Sequence, residues 1–300
     1  FKHKDNEKKG ITLCTAYGWY YKDNGDIVKQ PIKIEITKLK DQTIILKKII
    51  PRKLIIDALL ARASGELRVD ATSTFYPDSN PETTTVDGMV RHTGENLNWS
   101  EIRDGAGTDA FSTIGSLISH ILCGDSLNKW DSIARSIYLF DTSIISSSFN
   151  IISAIFSIYS QGKTEDNIDW LPKINIYSSN PATNTNLVAG DFDSLGSIAF
   201  CDNPIDFSDF NIIELKNFVL NTNGILNIAK GGITKIGIRE VTYDVANLSP
   251  TYSSDATAIT NAFFADGAID PKLVIEYIIL PFNIIKSQST KIFLTGFNTY

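Results

Sequence analysis

The side chains that could do chemistry are scattered in spacing. The histidines are His3, His92 and His120, and no HxH or HExxH pair would present two imidazoles to one metal ion. Serines are abundant, but without a G-x-S-x-G elbow a Ser–His–Asp assembly has no local signature. Neither GxxxxGK[ST] nor a GxGxxG after a strand is present, so no phosphate cradle is visible. Carboxylates are plentiful, yet a glycosidase pair is defined by distance in space rather than along the chain. The pattern points to a chain that is not an enzyme.

Two constellations are left for binding. In DGAGTD the carboxylates Asp104 and Asp109 flank a glycine turn, a candidate seat for structural calcium. The stretch lacks the spacing and closing Glu of an EF-hand loop, and a solvated turn is the simpler reading. Trp99, Trp130 and Trp170 stand in the polar contexts NLNWSE, LNKWDS and NIDWLP, and are candidate stacking faces for a carbohydrate. Tryptophans packed down on a sheet are the competing reading. Cys14, Cys123 and Cys201 are odd in number and far apart, which excludes a disulfide framework and leaves room for one bridge.

The elements that must position these groups are strands. In Ile133–Asp141 the residues Ile133, Arg135, Ile137 and Leu139 alternate with Ala134, Ser136, Tyr138 and Phe140, so both faces are largely apolar. Such a strand belongs inside a sandwich. Arg135 lies among apolar neighbours, and a guanidinium there needs a carboxylate from another strand or backbone carbonyls. A second apolar run covers Ile151–Tyr159, and further strands are expected at 66–76, 173–179, 214–221, 233–240, 270–279 and 291–297. Short helical turns are expected at 187–196 and 222–230. The Gly- and Pro-rich stretch from Pro77 to Asn128 reads as long ordered loops.

Residues 1–53 read as a small basic antiparallel unit with a hairpin turn at Asn24-Gly25, and residues 54–66 as a helical connector continuing from Pro51. A β-sandwich follows over 67–280, and an edge strand or tail over 281–300. Residues 1–53 hold 13 Lys and Arg against 6 Asp and Glu, while the rest holds 15 against 28. The acidic remainder argues against a nucleic-acid groove. No window reads as a membrane span, and the Lys-rich first residues lack the apolar run of a secretion signal. The basic unit is expected to dock on an acidic partner, either the rest of the chain or other structural protein chains.

The succession RSIYLFDTS, NIISAIFSIYS, KINIYSSNPA, VLNTNGILNIAKGGITKIGIR and DPKLVIEY resembles carbohydrate-binding-module-like jelly-roll domains of the DNRLRE type. The likeness covers about Leu67–Tyr277 and rests on order and pattern. It implies an all-β, antiparallel jelly-roll-like sandwich with one or two short helices, on a phage, virion or cell surface or outside the cell. Two roles follow from it as expectations: a non-catalytic structural component, or a module that binds glycans on its loop tryptophans.

Overall fold

The computed structural model describes the backbone of residues 2–3, 6–10, 17–21, 27–38, 44–49, 66–112, 117–285 and 293–295, and side chains within 28–33, 71–112 and 117–278. The connector helix and the side chains of His3, Cys14, Tyr17, Trp19, Tyr20 and Tyr21 lie outside the described residues and side chains.

The fold is all-β and antiparallel, a jelly-roll-like sandwich architecture. The strands are β1 (Lys2–His3), β2 (Asn6–Gly10), β3 (Tyr17–Tyr21), β4 (Ile27–Pro31), β5 (Lys33–Lys38), β6 (Ile44–Ile49), β7 (Glu66–Phe75), β8 (Asp87–Leu97), β9 (Asp109–Phe111) and β10 (Leu117–Cys123). They continue as β11 (Trp130–Asp141), β12 (Asn150–Asp166), β13 (Lys173–Ser178), β14 (Ile205–Asp206), β15 (Leu215–Val219), β16 (Ile233–Glu240), β17 (Thr257–Ala262), β18 (Lys272–Ile285) and β19 (Phe293–Thr295). Among the described residues the two short α-helices are α1 (Trp99–Asp104) and α2 (Thr222–Asn227).

The chain divides into two compact units: one is Phe1–Ser73, Ser148–Ile152 and Ile275–Tyr300, the other Thr74–Ser147 and Ser153–Val274. In the first unit β1 pairs β2, β3 pairs both β4 and β7, and β5 pairs β6 as a two-stranded sheet of its own. The β3–β4 register sets Tyr21 against Ile27, as expected of a hairpin around Asn24-Gly25.

The second unit is organised on β11. One edge of this strand pairs β8 from Trp130 to Tyr138, and the other is shared, with β10 over Trp130–Ala134 and β16 over Ser136–Asp141. Both faces of β11 are covered, as its alternation requires. Ile133, Ile137 and Leu139 join Val90, Ile121, Trp130 and Phe192 in one cluster. Tyr138 and Phe140 pack on Phe156 with ring centroids 5.1 and 5.8 Å apart. Each fully buried Ile or Phe contributes about 1.5–3 kcal/mol relative to exposure. β12 outruns the apolar segment that marks it and continues to Asp166, pairing β17 through a bulge at Ser160–Gly162. Gly162 has φ +108 at that bulge, a conformation glycine adopts without steric cost.

Two corrections follow. Residues 77–128, expected to be loops, contain β8, β9, β10 and α1. The residue before α1 carried a usable signal, since Glu101 of Asn98-x-x-Glu101 accepts the Asn98 N–H at 2.7 Å, half of a capping box. On β15 the inward residues are Lys216 and Phe218, and Val219, which its apolar type in the strand 214–221 assigns to the core, is 58% exposed.

Candidate functional site

The most connected group of polar side chains lies inside the second unit and begins with Glu240, the last residue of β16. Its carboxylate accepts four backbone N–H groups: Lys173 (3.1 Å) and Thr242 (2.6 Å) at Oε1, Tyr243 (2.6 Å) and Asp244 (3.0 Å) at Oε2. These bonds wind Val241–Val245 into one π-helical turn, whose fourth residue, Asp244, is thereby turned inward. Burial raises the Glu240 carboxyl above its ordinary range, with the four N–H donors opposing.

Asp244 receives two arginines in the same way. Arg135 of β11 donates Nε to Oδ2 at 2.9 Å and Nη2 to Oδ1 at 2.7 Å, and Arg239 of β16 repeats both contacts at the same distances. The remaining guanidinium donors reach carbonyls: Arg135 those of Phe192 (2.7 Å) and Arg103 (3.0 Å), Arg239 that of Gly196 (2.9 Å). Arg135 also lies 3.8 Å over the centroid of the Phe192 ring. Arg103, from α1, donates to the Asp244 carbonyl at 2.5 Å. Burial would raise the Asp244 carboxyl, but Arg135 and Arg239 outweigh it and hold it well below the usual carboxylate range. The group therefore clamps β11, β16, α1 and the 189–196 turn together. With the Arg135 side chain 4% exposed and Asp244 1%, it has no open coordination for a ligand.

Arg135 is buried and paired as the sequence indicates, by a carboxylate and by carbonyls. The carboxylate comes from a turn after a strand rather than from a strand. Asp244, Arg239 and Arg103 were not legible as partners. VTYDVAN reads as a polar loop, and nothing local places its aspartate beside a residue 109 positions earlier.

The tryptophans are core residues. Trp99, Trp130 and Trp170 are 9, 4 and 5% exposed, so they form no open stacking platform, and the carbohydrate reading of them is corrected. Trp99 and Ile102 are the buried side of α1, and Trp99 meets Trp130 edge-on at 5.4 Å. Trp170 donates Nε1 to the Thr251 carbonyl at 2.7 Å and leans on Tyr243. Asn98 and Ser100 beside Trp99 and Asp169 and Leu171 beside Trp170 are exposed, while the three indoles belong to the cluster around Ile133.

The calcium seat is corrected as well. Asp104 pairs with Arg103, and Asp109 pairs with Arg91 at 3.2 Å while accepting from Thr108 (3.0 Å) and Thr93 (3.4 Å). Burial acts upward on Asp109, but Thr108 and Arg91 outweigh it and lower its carboxyl. Each carboxylate is thus answered by an arginine where a cation would sit. Among the described residues no three His, Cys, Asp or Glu side chains are disposed to hold a metal ion.

His120 comes nearest to a catalytic pattern. Its Nδ1 lies 3.3 Å from the Ser132 hydroxyl and Nε2 3.2 Å from the Thr257 hydroxyl, so both ring nitrogens meet hydroxyls. Burial, with Arg91 adding to it, pulls the imidazole down to about 4. A neutral, enclosed ring without an orienting carboxylate is a core histidine rather than a general base. His92 is held by the Ile102 carbonyl at 2.9 Å, and Cys123 and Cys201 are free, buried thiols. No helix of the described residues is long and apolar enough to cross a membrane. No family model matches the chain and no curated protein matches it in sequence, so the likeness to DNRLRE-type modules remains one of pattern.

Proposed function

We propose that this chain is a non-catalytic β-sandwich module serving as a structural component of a surface assembly, with residues 1–53 as its joint to other chains. A phage, virion or cell surface is the setting that the likeness to DNRLRE-type modules implies. The observation that carries the reading is the division of charge. The unit containing residues 1–53 holds 17 Lys and Arg against 10 Asp and Glu, a balance of +7, and the other unit 11 against 24, a balance of −13. Like charges gathered on one compact unit steer association with the opposite sign. The polar interior supports the same role, because Arg135, Arg239, Asp244 and Glu240 are spent on fixing the sandwich rather than left facing an opening.

The test is location. Antibodies raised against the full chain are applied to intact particles or cells of the source, and regular labelling of the outer surface is expected. Reactivity found only after disruption would refute the surface role.

A further inference from the structure

The second unit carries a group of exposed branched side chains: Ile212, Ile213, Leu215 and Val219 are 53, 67, 40 and 58% exposed. Leu215 and Val219 stand on the outer face of β15, opposite in register to Tyr159 and Ile155 of β12, which are half-buried. Between them Ser157 donates to the Asn217 side chain at 2.7 Å. β15 pairs β12 and no other described strand; beyond its end, Leu220 bridges Cys201. The same stretch presents exposed carboxylates at Asp206, Asp209 and Glu214. Lys216 answers the Glu214 carboxylate and also reaches the Asp209 carbonyl, and Lys173 answers Asp206 at 2.8 Å, so three carboxylates meet two ammonium groups and one net negative charge is left. Isolated exposed leucines are ordinary, but four branched aliphatics within eight residues of an edge segment are an adhesive strip.

An apolar strip with a residual negative charge, on a unit whose balance is −13, fits a partner that is apolar, basic and extended. The first unit of the same chain has that chemistry. β5 and β6, KIEITK and IILKKI, combine isoleucine with lysine, carry a net positive charge, and form a two-stranded sheet joined to no other described strand. Such a pair is marginal in water without a further surface. We infer that the strip at β15 is the docking face for a second copy of this chain, whose β5–β6 pair extends the sheet at that edge. This deepens the surface-module reading, on which it rests, by naming the first partner. The contact joins different surfaces on the two copies, so it propagates head to tail into a ring or filament.

Sedimentation of the full chain tests the inference, from micromolar to hundreds of micromolar, at low salt and in about 0.5 M NaCl. Association that grows with concentration and weakens roughly tenfold in high salt is expected. Ile213→Asp with Val219→Asp, both exposed, removes association while the melting temperature holds. Lys47→Glu with Lys48→Glu removes it from the other side. Mixing the two variants restores a dimer and nothing larger, since each keeps one intact surface. A wild-type monomer throughout, association that ignores either variant pair, or a mixture that stays monomeric would each overturn the inference. Surface labelling of intact particles is a separate result: labelling without self-association retires the copy-to-copy contact and keeps the surface module, and absence of labelling retires the module.

Discussion

Replacing Asp244 by asparagine should be the most damaging single change in the clamp, and the ranking of its three main members tests the reading more sharply than any one value. Arg135→Met removes one bidentate contact and leaves the Phe192 and Arg103 carbonyls without their donors, but Arg239 still neutralises the carboxylate. Breaking a buried pair costs about 3–5 kcal/mol, and the remaining arginine keeps this variant near the lower end of that range. Arg239→Met also spares one arginine and orphans one carbonyl, that of Gly196, so it should cost about the same or slightly less. Asp244→Asn leaves two buried guanidiniums facing a neutral amide, and a loss of about 5 kcal/mol or more is expected. Urea denaturation read by tryptophan fluorescence and by circular dichroism gives all three values, and Arg135→Met combined with Asp244→Asn should cost less than the two singles added. The sign of the pH dependence follows. Because the folded carboxyl lies below its unfolded value, its stabilisation is complete above about pH 4, the ordinary Asp range, and is lost as pH falls from there. If Arg135→Met costs less than about 1 kcal/mol, or more than Asp244→Asn, the shared-carboxylate account is wrong.

His120 should make stability fall as the solution is acidified from about pH 6.5 to about 4, since its folded value is depressed to about 4 and the unfolded chain takes the proton first. The loss is about 3 kcal/mol over that interval, and a His120→Gln variant whose denaturation midpoint falls just as steeply would refute it. Asp87 runs the other way. Burial raises its carboxyl well above the ordinary range, with the Ala265 N–H opposing and Asp266, Asp270 and Glu82 adding to the rise. Its contribution is therefore present at low pH and lost as pH rises through the folded value, so Asp87→Asn should be more stable than wild type at pH 8, and a lower melting temperature there would count against this. Trp99→Ala and Trp130→Ala should each cost about 3–5 kcal/mol by emptying core volume, whereas Leu171→Ala, at an exposed site, should cost less than about 0.5 kcal/mol; equal effects in urea titrations would show that the indoles are not buried.

What could be read in advance depended on how far the cause of each feature lies along the chain. The double apolar alternation of Ile133–Asp141 is a local fact with one packing solution, so the central strand and its two covered faces follow from it. Asn221 is similarly local, accepting from the Gly224 N–H at 3.1 Å at the start of α2, within the helical turn expected there. β8 hid because its later half, Arg91-His-Thr-Gly-Glu-Asn96, is polar and only partly buried, while its pairing to β11 needs no apolar side chain there. Val219 was misplaced by its type: valine suits either face of a strand, and only the register with β12 shows that Phe218 turns inward. The tryptophans reverse the usual inference, since a polar neighbourhood in sequence says where adjacent side chains point and nothing about the ring between them.

The two buried aspartates carry this furthest. Asp87 and Asp244 are both nearly inaccessible, 2 and 1% exposed, and each lies beside a turn, so composition and burial give no way to tell them apart. Asp244 faces two guanidiniums and is held ionised; Asp87 faces the Ala265 N–H and other carboxylates and is pushed toward the neutral acid. An arginine on an apolar strand announces that it needs an anion but not which one. The choice among carboxylates is made by Glu240, four residues before Asp244, whose hold on four N–H groups sets the turn that presents it. Glu240→Gln should therefore lower stability through the clamp: the amide accepts fewer of those donors, the turn loosens, and the cost of a subsequent Arg135→Met should shrink. If Glu240→Gln and Arg135→Met prove additive, the turn does not position the aspartate and the two features are independent.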